Sequence, residues 1–175
     1  MEDVECGAAA LTSILGYHGR VVPLVQMRVE CGVSRDGSKA SNVLKAARKL
    51  GLKAKGEQRD VDALADLQMP VIVFWNFNHF LVLEGYDKGL FFLNDPASGP
   101  RTVTEEEFAG AYTGVVLSFS VTPEFKKGGK RSSLIASLAK RMGSREAYTF
   151  VGIAGLALVV PGLVIPTFSR VFVDS

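Results

Sequence analysis

Between Glu146 and Arg170 the chain carries no charged residue. The stretch Ala147 to Ser169, AYTFVGIAGLALVVPGLVIPTFS, would extend roughly 35 Å as a helix, enough for the hydrocarbon core of a bilayer. A buried core helix of that length needs a large surrounding domain, which the rest of a 175-residue chain does not supply. Pro161 and Pro166 would kink the helix, which a bundled membrane helix tolerates. A signal peptide is excluded by position, because the run is C-terminal and the N-terminus is acidic. The run also explains an overall composition that is 47% hydrophobic with a mean hydropathy of +0.20. It divides the chain into a body over 1–123, a polar linker over 124–146 and the start of a membrane helix over 147–175.

The charge distribution orients that arrangement. Lys126, Lys127, Lys130, Arg131, Lys140, Arg141 and Arg145 fall in a segment with no acid, whereas residues 1–123 carry more acids than bases. Basic residues directly before an apolar span follow the positive-inside rule, which puts the body on the cytoplasmic side of an inner membrane and makes nucleic acid an unneeded partner. Gly128-Gly129-Lys130 does not complete a phosphate loop, since Glu124 and Arg131 break the pattern. In a cytoplasmic body Cys6 and Cys31 are expected to be free thiols. With His18 and His79 they form no metal-ligand spacing, and no metal is expected.

Within the body, helical spacing comes first. Residues 6–17 read as a helix with Leu11, Ile14 and Leu15 on one face, and Ser38 to Gly51 as a second, with Val43, Leu44, Ala47 and Leu50 inward. Leu52–Lys55 reads as a short strand and Val61–Leu67 as a third helix. After Pro70 the period changes. Val71–Trp75 is apolar throughout, as a central strand would be; His79–Gly85 and Leu90–Asn94 follow as strands separated by turns at 76–78 and 87–89. Thr104–Ala109, with acids in its first turn, suits a short helix, and Val115–Val121 is a last strand. Helices followed by an antiparallel meander predict an α+β fold.

Three residues carry chemistry. Cys6, followed by Gly7 and small residues, opens a helix whose free N–H groups favour a thiolate; a small buried hydrophobe is the alternative reading. His79 heads one strand and Asp95 ends its neighbour, before Pro96, so an antiparallel pair brings them together. Nucleophile, base and orienter in the order Cys, His, Asp match a papain-like cysteine hydrolase. His18 lies on a turn at the far end of the helix from Cys6, roughly 18 Å away, and reads as a cap or surface residue.

The motifs Asp3-Val-Glu-Cys6-Gly-Ala-Ala9, Gly37-Ser38, Leu44 to Leu52, Pro70-Val-Ile72, Asn78-His-Phe-Leu-Val-Leu83 and Leu93-Asn-Asp95-Pro-Ala-Ser-Gly99 occur in order. In this the sequence resembles the N-terminal peptidase domain of peptidase-containing ABC transporters, the bacteriocin-processing double-glycine peptidases. The likeness extends into Val164-Ile-Pro166 and Val171 to Asp174. It implies a papain-like fold with Cys6 as nucleophile, His79 as base and Asp95 as orienter. It also implies cleavage after Gly-Gly or Gly-Ala at the end of the leader of a ribosomally made peptide, coupled to ATP-driven export. No cofactor is implied in this segment; ATP and Mg²⁺ belong to the full-length transporter, a homodimer in contact with lipid. A leader-docking module without useful catalysis is the alternative.

Family members carry an oxyanion-hole Gln six residues before the nucleophile, a position that would precede Met1, and their ATPase domain would lie beyond Ser175. Glu2, Asp3 and Glu5 oppose thiolate formation, so His79 must outweigh them. Cys31, beside Glu30, reads as structural. A site restricted to Gly-Gly or Gly-Ala must be narrow, and Trp75, Phe77 and Asn78 are the expected channel walls, with core packing as the alternative role for the two aromatics.

Overall fold

The computed structural model describes residues 5–34, 37–129 and 148–159. Helices α1 (Cys6–Tyr17), α2 (Leu24–Glu30) and α3 (Ala40–Lys49) come first. They are followed by β1 (Leu52–Gln58), a 3-10 turn over Asp62–Asp66, β2 (Val71–Trp75), β3 (His79–Asp87), β4 (Leu90–Asp95), β5 (Gly99–Thr104), α4 (Glu105–Ala111) and β6 (Tyr112–Val121). The α+β order expected from the sequence is what the chain adopts.

The sheet is antiparallel and has six strands in the order β1-β6-β2-β3-β4-β5. Strands β2 to β5 form a meander, but β6 returns to lie between β1 and β2, which corrects the simple meander read from sequence. Its Val116 and Leu117 are buried on opposite faces, as a central strand requires. Side-chain alternation serves two cores. Ile72, Phe80, Val82, Leu117 and Phe119 pack with α1 and α3 on one face. Val71, Val73, Trp75, Leu81, Leu83 and Leu93 pack with Phe108 of α4 and Leu64 on the other. Burial on both faces is why Val71–Trp75 is apolar at every position.

Several boundaries move. The second expected helix begins at Ala40 rather than Ser38, the strand after it runs on to Gln58, and Val61–Leu67 tightens to a single 3-10 stretch. Gly51, at φ +87, ends α3 in the left-handed geometry that glycine takes without strain. Thr104 caps α4 through a capping box with Glu107. Helix α2 and strand β5 were not visible in the sequence pattern.

The chain divides into two units between Arg131 and Ser132. Of the expected membrane span only 148–159 is described, and it is helical. Among the described residues no helix is long and apolar enough to cross a membrane. The basic linker from residue 130 to 146 lies outside the described residues.

Candidate active site

Cys6 is the first residue of α1, with Glu5 as its N-cap. Gly7 is required by a close approach. A Cβ built there would lie 2.9 Å from Ser38 Cβ, 3.1 Å from Val43 and 3.3 Å from the Phe80 ring. The glycine lets the first turn of α1 press against β3 and the entry to α3, which buries Cys6 to 5% exposure. Its sulfur accepts a hydrogen bond from the backbone N–H of Phe80 at 3.4 Å. The helix carrying the thiol and the strand carrying the imidazole are thereby joined at the residue after His79.

His79 and Asp95 meet as the strand pairing predicts. His79 Nε2 lies 2.8 Å from Asp95 Oδ1, and the imidazole also hydrogen-bonds with Cys6. The hydrogen bond to Cys6 raises His79, burial opposes, and Asp95 adds to the rise; together they carry the imidazole up to about 9. Burial pushes Asp95 upward, but the His79 bond, the Ala97 N–H and the Ser98 hydroxyl outweigh it and hold the carboxyl down at about 2. At neutral pH the pair is therefore an imidazolium and a carboxylate. A cation beside a thiol favours the nucleophilic thiolate.

The loop after Asp95 supplies two further contacts to its carboxylate. Ala97 donates its N–H to Oδ1 at 2.8 Å and Ser98 donates its hydroxyl to Oδ2 at 2.8 Å. The run Asp-Pro-Ala-Ser-Gly carries that signal in sequence as a turn closed by an Asp side chain. The acid beside Cys6 is also accounted for. Glu5, only 8% exposed, is paired with Arg28 of α2 at 2.5 Å. Since α2 was not anticipated, neither was this partner. Glu2 and Asp3 lie outside the described residues.

The three expected channel residues part company. Trp75 is 7% exposed, set edge-on against Phe108 with ring centroids 5.5 Å apart, and the Arg101 guanidinium lies 5.3 Å over its ring. That is a core position, leaving little of the indole to face a substrate. Phe77 is 81% exposed, and Asn78 is exposed beside His79. Both Asn76 and Phe77 have positive φ, +47 and +58, and the Asn78 N–H closes the turn on Trp75 O at 3.1 Å. A bulky aromatic held exposed in left-handed backbone stores strain, a common feature of ligand-contacting loops. His18 is the C-cap of α1, edge-on to Tyr17 and Phe125. Cys31 is fully buried; burial and then Glu30 push its thiol up to about 11, which fits the structural role read from sequence.

Residues 1–124 match the Peptidase C39 family. Over 175 residues the chain is 28% identical to a probable microcin secretion/processing ATP-binding protein of Escherichia coli, covering 99% of this chain and 25% of that protein. It is 33% identical over 125 residues to the colicin V secretion/processing ATP-binding protein of Escherichia coli, covering 71% and 18%. The chain thus spans a quarter or less of the length of these two relatives. Among solved structures, a double glycine motif protease from an AMS/PCAT transporter, in complex with the leader peptide, is 50% identical with a TM-score of 0.68, covering 70% of this chain and 88% of that one. The peptidase domain of Streptococcus ComA, 22% identical with a TM-score of 0.66 over 70% of this chain and 95% of that one, shares the fold.

Proposed function

The chain belongs to the peptidase C39 family, and we propose that Cys6, His79 and Asp95 are its catalytic residues, cutting the leader of a ribosomally made peptide after Gly-Gly or Gly-Ala. The observation that carries this reading is the His79–Asp95 contact at 2.8 Å beside the helix-start thiol of Cys6. In the forward step the Cys6 thiolate attacks the carbonyl carbon of the second small residue. The free N–H groups in the first turn of α1 face the developing oxyanion. His79, already protonated, gives its proton to the leaving amine as the C–N bond breaks and a thioester forms. Water then adds to the thioester carbonyl, its proton passing to His79, and the C–S bond breaks, which regenerates the Cys6 thiolate and frees the leader with a C-terminal carboxyl. Asp95 keeps Nε2 engaged, so that Nδ1 stays directed at sulfur and substrate.

Phe77 and Asn78, exposed beside His79, are our choice for contacts to the residues flanking the cut, with Trp75 supporting their turn from the core. The names of the curated relatives, which join secretion and processing to ATP binding, support placing this chain in an exporter. In that protein residues 1–123 would be the cytoplasmic peptidase and 124–146 a linker. Residues from 147 onward would begin the inner-membrane part of a homodimer in contact with lipid, and ATP and Mg²⁺ would act outside this segment. The test is Cys6→Ala on the full chain with a synthetic leader ending Gly-Gly joined to a short peptide. Cleavage should be abolished while leader binding is retained. Turnover by the Ala variant would end the nucleophile assignment, and binding without turnover by the unaltered chain would favour a docking module.

A further inference from the structure

We infer that Ser98 is a positioning residue of this site, its hydroxyl fixing the plane of the Asp95 carboxylate against the His79 ring. The inference rests on the peptidase reading above. Asp95 Oδ1 receives two donors, His79 Nε2 and the Ala97 N–H, both at 2.8 Å. Those two donors act at one end of the carboxylate, and the terminal torsion of an Asp side chain is broad. Ser98 Oγ, donating to Oδ2 at 2.8 Å, adds a third constraint at the opposite end and gives that oxygen its partner. Asp95 is 8% exposed, so a carboxylate oxygen deprived of its donor is poorly compensated by solvent.

The backbone delivers this hydroxyl by construction. Asp95 and Gly99 are paired at the mouth of the β4–β5 hairpin, which leaves Pro96, Ala97 and Ser98 as the loop. Gly99 returns the chain into β5 at φ +90, a conformation glycine takes without strain. Pro96 fixes the first loop residue at φ near −65°. The loop therefore turns its N–H and its hydroxyl back onto the side chain that precedes it. Ser98 is itself exposed and buries no apolar surface worth counting, so its bond to Asp95 is the contribution to examine.

The experiment compares Ser98→Ala and Ser98→Thr with the unaltered full chain. Its readouts are kcat and KM on a Gly-Gly leader peptide, the alkaline limb of the pH–rate profile, the melting temperature, and alkylation of Cys6 by iodoacetamide at pH 6. Losing one such hydrogen bond should lower kcat about two- to tenfold with KM unchanged. The alkaline limb should move to lower pH in Ser98→Ala, because the His79 cation loses a fixed anion. Ser98→Thr, which keeps the hydroxyl, should restore both, and Ser98→Ala should melt somewhat lower, as the loss of one partly buried hydrogen bond requires, while staying fully folded at the assay temperature. An unchanged kcat and limb in Ser98→Ala overturns the inference. So does a kcat loss that Thr shares in full, or one explained by an unfolded fraction at the assay temperature. Should the unaltered chain fail to cut the peptide, the peptidase reading falls and alkylation decides this one. Slower labelling of Cys6 in Ser98→Ala supports positioning, and equal labelling refutes it.

Discussion

Phe77 allows the sharpest separation of a substrate contact from a packing residue, because the two roles predict stability changes of different size. A core phenylalanine truncated to alanine costs about 3–5 kcal/mol. Phe77 is 81% exposed, so about a fifth of a full burial worth about 1.5–3 kcal/mol is at stake, or roughly 0.3–0.6 kcal/mol. Phe77→Ala keeps the left-handed strain and should lose only that amount. Phe77→Gly removes the strain at φ +58, worth about 1–2 kcal/mol. Against this stand about 0.5–1 kcal/mol of unfolded-chain entropy and the same lost packing, so its stability should be equal or slightly higher. The exposed four-fifths of the ring offers a bound peptide up to about 2 kcal/mol, which corresponds to about thirtyfold in affinity. Urea denaturation of both variants, together with kcat and KM on leaders ending Gly-Gly and Gly-Val, reads both sides. Stability within about 1 kcal/mol of the parent, with a raised KM or relaxed choice at the cut, is the expected outcome. A loss of 3 kcal/mol or more with unchanged selectivity would refute the channel assignment.

Two further predictions concern the approach of the helix that bears Cys6 and the charge on His79. Gly7→Ala gains about 1 kcal/mol of helix propensity, but its Cβ would meet Ser38 at 2.9 Å, and overpacking of this kind costs about 1–3 kcal/mol. The expected result is net destabilisation with slower cleavage, because α1 must shift away from β3; a more stable and equally active variant would show that the approach of α1 is slack. His79 is held at about 9 against an ordinary 6.5, so its contribution to stability is complete below about pH 6.5 and is lost as pH rises through 9. Asp95, held at about 2 against an ordinary 3.8, contributes fully above about pH 4 and loses this as pH falls through 2. The stability gap between the parent and His79→Gln should therefore be widest between about pH 4 and 6.5 and narrow on both sides, and a gap independent of pH would contradict the charged pair.

How far the site was legible follows from where each residue's partners lie in the chain. Cys6, His79 and Asp95 each stand at the end of an element whose signal is local: a helix start, the head of a strand, a strand stopped by Pro96. One turn joins β3 to β4, so even the meeting of His79 with Asp95 could be expected from sequence. The components that escaped depend on distant pairings or on weak elements. Strand β6 inserts beside β2 through contacts with residues about forty positions away, which no local pattern records. Strand β5 carries Pro100 at an edge, where Pro is tolerated but erases the strand signal. Helix α2 buries only Met27 among its seven residues, so it lacked a periodic face, and Arg28 with it lacked a visible role.

These hidden parts hold the legible residues in place. His79 is the first residue of a strand flanked by β2 and β4, and β2 is in turn held by the inserted β6. The residues after His79 alternate between two cores, Phe80 and Val82 toward α1, Leu81 and Leu83 toward α4. A one-residue slip of β3 would exchange those faces and carry the imidazole away from both its partners. The Phe80 N–H on Cys6 sulfur adds a direct tie between helix and strand. The precision of the site is thus set less by the three chemical residues than by the two-faced burial of the strand that begins with His79. Variants in the central strands should accordingly lose activity before they lose the fold.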